Sequence, residues 1–166
     1  MAEDNDVREM AMTTRRECLL MTAGALLFGL PGRTLGAASR PAQGDNAIEI
    51  WKSPTCGCCR LWVDHMRAHG FLPSVHDVAD VTPFKRKLGV PLALESCHTA
   101  VVAGYAVEGH VPADVVRHLL KTRPNVAGLA VPGMPMGSPG MEGPRKEPYN
   151  VVLFDKAGNT SVFAKR

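Results

Sequence analysis

Ile48-Glu49-Ile50-Trp51-Lys52-Ser53-Pro54-Thr55-Cys56-Gly57-Cys58-Cys59 reads as a strand, a turn and the opening of a helix. Ile48 and Ile50 alternate with Glu49 and Trp51, which is the period of a strand with one apolar face. Ser53 to Gly57, with Pro54 and Gly57, ends the strand in a turn. From Cys58 to His69 the apolar residues Leu61, Trp62, Val63 and Met66 recur at helical spacing, and Gly70 supplies the stop. Three thiols therefore sit just beyond the carboxyl end of a strand, where chemistry collects in open α/β sheets.

The chain downstream extends this unit. Val75 to Val78 is a short second strand, and Thr82 to Leu88 a helix with Pro83 in its first turn. Gly89-Val90-Pro91 ends that helix, and Leu92 to His98 is a loop or short helical turn. Thr99 to Val102 and Tyr105 to Glu108 form a hairpin. Pro112-Ala113-Asp114 then opens a helix to about Thr122, with Val115, Val116, Leu119 and Leu120 facing inward. The order strand, helix, strand, helix, strand, strand, helix is the thioredoxin order, so the fold class is α/β, a thioredoxin-like mixed sheet flanked by helices. Between Pro124 and Pro148 eleven of 25 residues are Gly or Pro, which predicts a Gly/Pro/Met-rich loop without helix or strand. Tyr149–Asp155 and Thr160–Ala164 read as a C-terminal hairpin.

Upstream, Arg15-Arg16 precedes an uncharged apolar run from Cys18 to Leu30, 13 residues long. That is too short for a membrane span and suits the apolar region of a signal peptide, with small residues Gly36, Ala37 and Ala38 for cleavage. The paired arginines resemble a twin-arginine export signal. The expected organisation is a signal peptide over 1–38, a flexible tether over 39–46 and one domain over 47–166, located in the periplasm with no membrane span once the leader is removed. With 21% charged and 45% hydrophobic residues the domain is globular. A net charge of +3, scattered along the chain, excludes nucleic acid as a partner. The one dense basic run, Lys85-Arg86-Lys87, reads as a solvated helix face.

Five cysteines are many for 166 residues, and three of them fall within four positions. At a helix start, the macrodipole and free backbone N–H groups favour thiolate, which is both nucleophile and metal ligand. Cys56 and Cys59 have the C-x-x-C spacing of a redox disulfide. Cys58 between them argues against a pure redox pair, because a third thiol scrambles it by exchange. It also argues against a structural staple, because neighbouring cysteines constrain little chain. Three sulfurs converging on one pocket instead suit a soft metal ion.

Ser96-Cys97-His98-Thr99 lies just before a central strand, and in a thioredoxin-like fold that loop packs on the C-x-x-C turn. Cys97 and His98 stand where thioredoxins place a cis-proline. His110, in Gly109-His110-Val111-Pro112, is the second histidine candidate. His65 reads as a satisfied surface histidine, and His69, His76 and His118 as exposed or structural. Thiolates select Cu(I) or zinc, and the loop adds Met134, Met136 and Met141, whose thioethers suit Cu(I) and not zinc. The alternative for these methionines is apolar anchoring of the loop.

Four separated motifs, Trp51 to Cys59, Ser96 to Ala100, Glu108 to Ala113 and Val131 to Glu142, together resemble the CopG-like group of exported copper-resistance proteins. The resemblance covers about residues 47–164. It implies a thioredoxin-like fold, a periplasmic location and a copper site on the C-x-C-C turn, with interconversion of Cu(I) and Cu(II) proposed for the group. By position it assigns Cys56, Cys58, Cys59 and Cys97 as cluster ligands. It assigns His98, Met134 and Met141 as ligands or supporting groups. The expected function is copper binding for buffering, transfer or detoxification, with copper ions, and periplasmic copper chaperones or exporters, as partners. A thiol-disulfide oxidoreductase using Cys56 and Cys59 is the alternative.

Overall fold

The computed structural model of the chain describes residues 44–166. The leader reading (1–38) and the first part of the tether (39–46) lie outside the described residues. The end of the tether, residues 44–46, forms a turn held to the domain by an Asp45–Arg123 ion pair and an Asn46 Nδ2 hydrogen bond to Gly70 O.

Seven strands and three helices follow in the order β1 (Ala47–Lys52), α1 (Gly57–Ala68), β2 (Leu72–Asp77), α2 (Thr82–Lys87), β3 (His98–Val102), β4 (Tyr105–Glu108), α3 (Ala113–Thr122), β5 (Gly128–Ala130), β6 (Asn150–Phe154) and β7 (Thr160–Lys165). A 3-10 turn at Leu92–Leu94 precedes β3. The strands make one mixed sheet in the order β2-β1-β3-β4-β5-β6-β7. β1 runs parallel to β2 and antiparallel to β3, β3 is antiparallel to β4, and β4 is parallel to β5. A mixed sheet flanked by helices is the α/β class that the sequence implied.

Side-chain alternation divides the core between the two faces of the sheet. On one face α1 and α3 pack Trp62, Val63, Met66, Val116 and Leu119 against Ile48, Ile50, Ala100, Val107 and Leu129. On the other, Val90 and Leu94 cover Ala106, Ala130 and Phe154. α2 lies on this second face, since Trp51 stacks between His76 and Phe84, with ring centroids 5.5 and 5.0 Å away. In α1 the buried positions are Cys59, Trp62, Val63 and Met66, the i, i+3, i+4, i+7 stripe. Leu61, expected on that stripe, is 48% exposed at its edge. Among the described residues no helix is long and apolar enough to cross a membrane.

Two differences from the sequence reading exceed a single residue at an element end. β2 starts at Leu72, three residues early, because Pro73 is tolerated on an edge strand that pairs only with β1. The Gly/Pro-rich segment, expected to hold no strand, contains β5. Its three residues are buried and paired on both sides, joining the C-terminal hairpin to the sheet. So short a strand is set by its neighbours and carries no period of its own.

Candidate metal centre

Strand register brings the site together. Lys52, the last residue of β1, pairs with His98, the first of β3. The turn after β1 and the segment before β3 therefore meet at one end of the sheet. Thr99 pairs with Glu108, and Glu108 with Ala130, so the residues following β4 and β5 reach the same end. Cysteine turn, Cys97 segment, His110 and methionine loop converge there from four separate stretches of chain.

Cys56 is the N-cap of α1, its Sγ accepting the Cys59 N–H at 3.3 Å. Cys56 and Cys59 are joined in a disulfide, and Cys58 and Cys97 are free thiols. Cys58 Sγ lies 3.5 Å from Cys56 Sγ and 3.9 Å from Cys97 Sγ. All four sulfurs lie within 4.8 Å of one another. A second group, Cys97, His98 and His110, meets the same criterion, so Cys97 belongs to both. Its Sγ is 3.1 Å from His110 Nε2 and 3.6 Å from His98 Nδ1.

The imidazoles are built as ligands. His110 Nδ1 donates to Pro139 O at 2.8 Å, which fixes the tautomer and leaves the Nε2 lone pair aimed at Cys97. His98 is fully buried, 4.4 Å from the Trp62 ring centroid and 5.0 Å from that of His110. Its Nε2 has no hydrogen-bond partner among the described residues. Burial first, then the neighbouring His110 and Lys85, hold His98 well below its ordinary value, and burial also lowers His110. Both rings are therefore in the neutral form that binds metal. Burial, then the adjacent Cys58 thiol, push Cys97 up to about 11. A metal cation entering this pocket would displace that proton.

The methionine loop reaches the site through its backbone. Besides the Pro139 carbonyl, Gly140 sits so close that a Cβ there would lie 2.6 Å from Cys58 O and 2.9 Å from Trp62 N. Its φ of +86° adds a second reason for glycine. Met134 and Met136 are both exposed, at 41% and 37%, and Met141 is half-buried. Of the eight residues expected at the site, Cys56, Cys58, Cys59, Cys97, His98 and His110 fall in the two overlapping groups. Met134 and Met141 lie on a loop whose ties to the site run through Pro139 and Gly140.

The solvated-face reading of Lys85 is corrected. Lys85 is 3% exposed, and its Nζ lies 2.5 Å from Oε1 of Glu108, which is fully buried. Burial raises the Glu108 carboxyl above its ordinary value, against the opposing pull of Lys85. His65, expected at the surface, is half-buried, and its Nε2 accepts the Ala113 N–H that opens α3, where Pro112 offers no side-chain cap. Sequence reasoning passed over Glu108 as a functional residue. The available signal was a carboxylate ending an otherwise apolar strand.

Two free thiols beside a disulfide, with two neutral imidazoles around the inner thiol, define a soft-metal site of mixed sulfur and nitrogen donors on a mixed α/β sheet. Residues 94–141 match the family described as "Protein of unknown function, DUF411". Two solved structures of a copper resistance protein, CopG, are similar. Form 1 is 45% identical over 74% of this chain and 98% of its own, with a TM-score of 0.70. Form 2 is 46% identical over 72% and 97%, with a TM-score of 0.69. No curated protein matches. The chain belongs to the CopG family of copper-resistance proteins, and with its Cys/His cluster this supports a copper-related function.

Proposed function

We propose that this protein holds copper as its cargo in the periplasm, taking Cu(I) at Cys58 and Cys97 with His98 and His110 around them. Cys56 and Cys59 complete a four-sulfur set when their disulfide is reduced. The supporting observation is that Cys97, from 38 residues beyond Cys59, lies 3.9 Å from the Cys58 sulfur and 3.1 Å from His110 Nε2. Thiolate and imidazole together retain copper in either oxidation state. The cysteines also supply electrons: two thiols and two Cu(II) ions give one disulfide, two Cu(I) ions and two protons. Met134 and Met141 are thioether donors on the adjoining loop. The leader over 1–38 is the basis for twin-arginine export, and copper chaperones or exporters of that compartment are the expected exchange partners.

A second reading, thiol-disulfide exchange, is favoured by the Cys56–Cys59 disulfide itself. The test is anaerobic Cu(I) titration of the reduced chain against a chromophoric chelator. Retention of at least one equivalent, lost in Cys97→Ser, supports copper as cargo. Less than one equivalent with all thiols reduced refutes it.

A further inference from the structure

We propose that Lys85 and Glu108 are a positioning pair that holds Cys97 within reach of the cysteine turn. The proposal rests on the copper-holding reading for its purpose, although its geometry stands alone. Glu108 ends β4 and points to the face covered by α2, where Lys85 meets its Oε1. The same oxygen accepts the Ser96 N–H at 2.5 Å. Ser96 lies between the 3-10 turn and β3, outside any helix or strand, so no regular ladder serves that N–H. One carboxylate oxygen thus ties together α2, β4 and the residue preceding Cys97.

Ser96 is also seated from the other side. A Cβ on Gly109 would lie 2.7 Å from Ser96 Oγ and 2.8 Å from Ser96 Cβ, so the absence of a side chain there is what lets Ser96 approach. Glu108 and Gly109 together leave Ser96 one place, and the peptide that follows carries Cys97. The choice of charged residues is informative. A buried ion pair is often no more stabilising than an apolar pair of the same volume, and Met with Leu would brace α2 against the sheet equally well. What an apolar pair cannot do is accept the Ser96 N–H. The pair is explained by the loop it orients, as groups behind metal ligands commonly are.

Glu108→Ala alone strands a buried cation and is a poor test. Two variants separate the roles. Lys85→Met/Glu108→Leu keeps the volume and removes the acceptor, whereas Lys85→Met/Glu108→Gln keeps an acceptor oxygen for Ser96 and leaves no buried cation unpaired. Each is placed in a full chain with Cys18, Cys56 and Cys59 replaced by Ser, leaving Cys58 and Cys97. In glutathione buffers, one oxidised glutathione and the two thiols give the Cys58–Cys97 disulfide and two reduced glutathiones. The equilibrium measures how closely the sulfurs are held, without copper. Urea unfolding confirms that each variant is folded. Cu(I) affinity is measured in parallel in chains that keep all their cysteines.

The expected result is a fall of about tenfold or more in the Cys58–Cys97 effective concentration in Lys85→Met/Glu108→Leu, and near-parent behaviour in Lys85→Met/Glu108→Gln. Cu(I) affinity in Lys85→Met/Glu108→Leu falls by about 10- to 100-fold, the usual effect of removing a group that orients a ligand. A folded Lys85→Met/Glu108→Leu variant with an unchanged effective concentration overturns the proposal. If the parent chain holds less than one equivalent of copper while the effective concentration still falls, the positioning role stands and the copper reading fails.

Discussion

Replacing Gly140 by alanine should destabilise the domain well beyond the ordinary cost of a side chain in a left-handed turn. Gly133, on the same loop, is the control. Both have positive φ, +86° for Gly140 and +75° for Gly133, so both alanine variants carry the same backbone penalty of about 1–2 kcal/mol. A Cβ on Gly133 meets nothing within 4 Å. A Cβ on Gly140 would lie 2.6 Å from Cys58 O, 2.9 Å from Trp62 N and 3.2 Å from His110 Nδ1. Two of these are backbone atoms in the first turns of α1, which cannot swing away as a side chain does. Overpacking of this kind costs about 1–3 kcal/mol. Gly140→Ala should therefore lie about 1–3 kcal/mol below Gly133→Ala in unfolding free energy. Urea denaturation of the reduced, metal-free proteins measures the difference, provided the m-values agree. Equal midpoints for the two variants would refute the close approach of the loop to α1.

Four other outcomes are expected. Cys58→Ser should lose most Cu(I) binding while exchange through Cys56 and Cys59 survives; copper binding equal to the parent contradicts the assignment of Cys58. Lys85→Met alone leaves a buried carboxylate unpaired and should cost about 3–5 kcal/mol by urea unfolding, more than the Lys85→Met/Glu108→Leu double variant. Because Cys97 is pushed up to about 11, its alkylation by iodoacetamide in the metal-free protein with the Cys56–Cys59 disulfide intact should keep accelerating past its ordinary value of 9.0. A plateau below that pH contradicts the burial of the thiol. His65, His98 and His110 are all held below 6.5, so below that pH the unfolded chain binds protons that the folded one refuses. Their contribution to stability should be full above about pH 6.5 and fall as pH drops, at up to about 1.4 kcal/mol per pH unit for buried His98, while Glu108, with its raised carboxyl, works in the opposite direction. The Lys85→Met/Glu108→Leu variant removes that opposition, and a flat urea midpoint in it between pH 7 and pH 5 refutes this.

Much of the fold could be read locally. β1 and α1 announce themselves because Ile48 and Ile50 alternate, and because Trp62, Val63 and Met66 keep helical spacing down to Gly70. β5 escaped because three residues show no period and Gly and Pro around them argue for loop. Lys85 was misread because a basic triplet on a six-residue helix looks solvated from sequence, and its partner lies 23 positions away. Burial of such a pair is decided by which faces meet, and no local pattern encodes that. The cysteine turn was legible because its residues are adjacent, and Cys97 because strand order alone brings its segment to the turn. The methionine loop shows the opposite limit. Its sulfurs drew the eye, yet its ties to the site are a carbonyl at Pro139 and an absent side chain at Gly140, neither of which carries a chemical label.

X-ray absorption at the copper edge, on the chain loaded with one equivalent of Cu(I) under anaerobic conditions, tests the central claim most directly. The expected first coordination sphere is dominated by sulfur, with imidazole scattering beside it, and the sulfur contribution drops in Cys97→Ser. A sphere of oxygen and nitrogen alone, or one untouched by loss of Cys97, would contradict a copper site shared between the cysteine turn and the Cys97 segment.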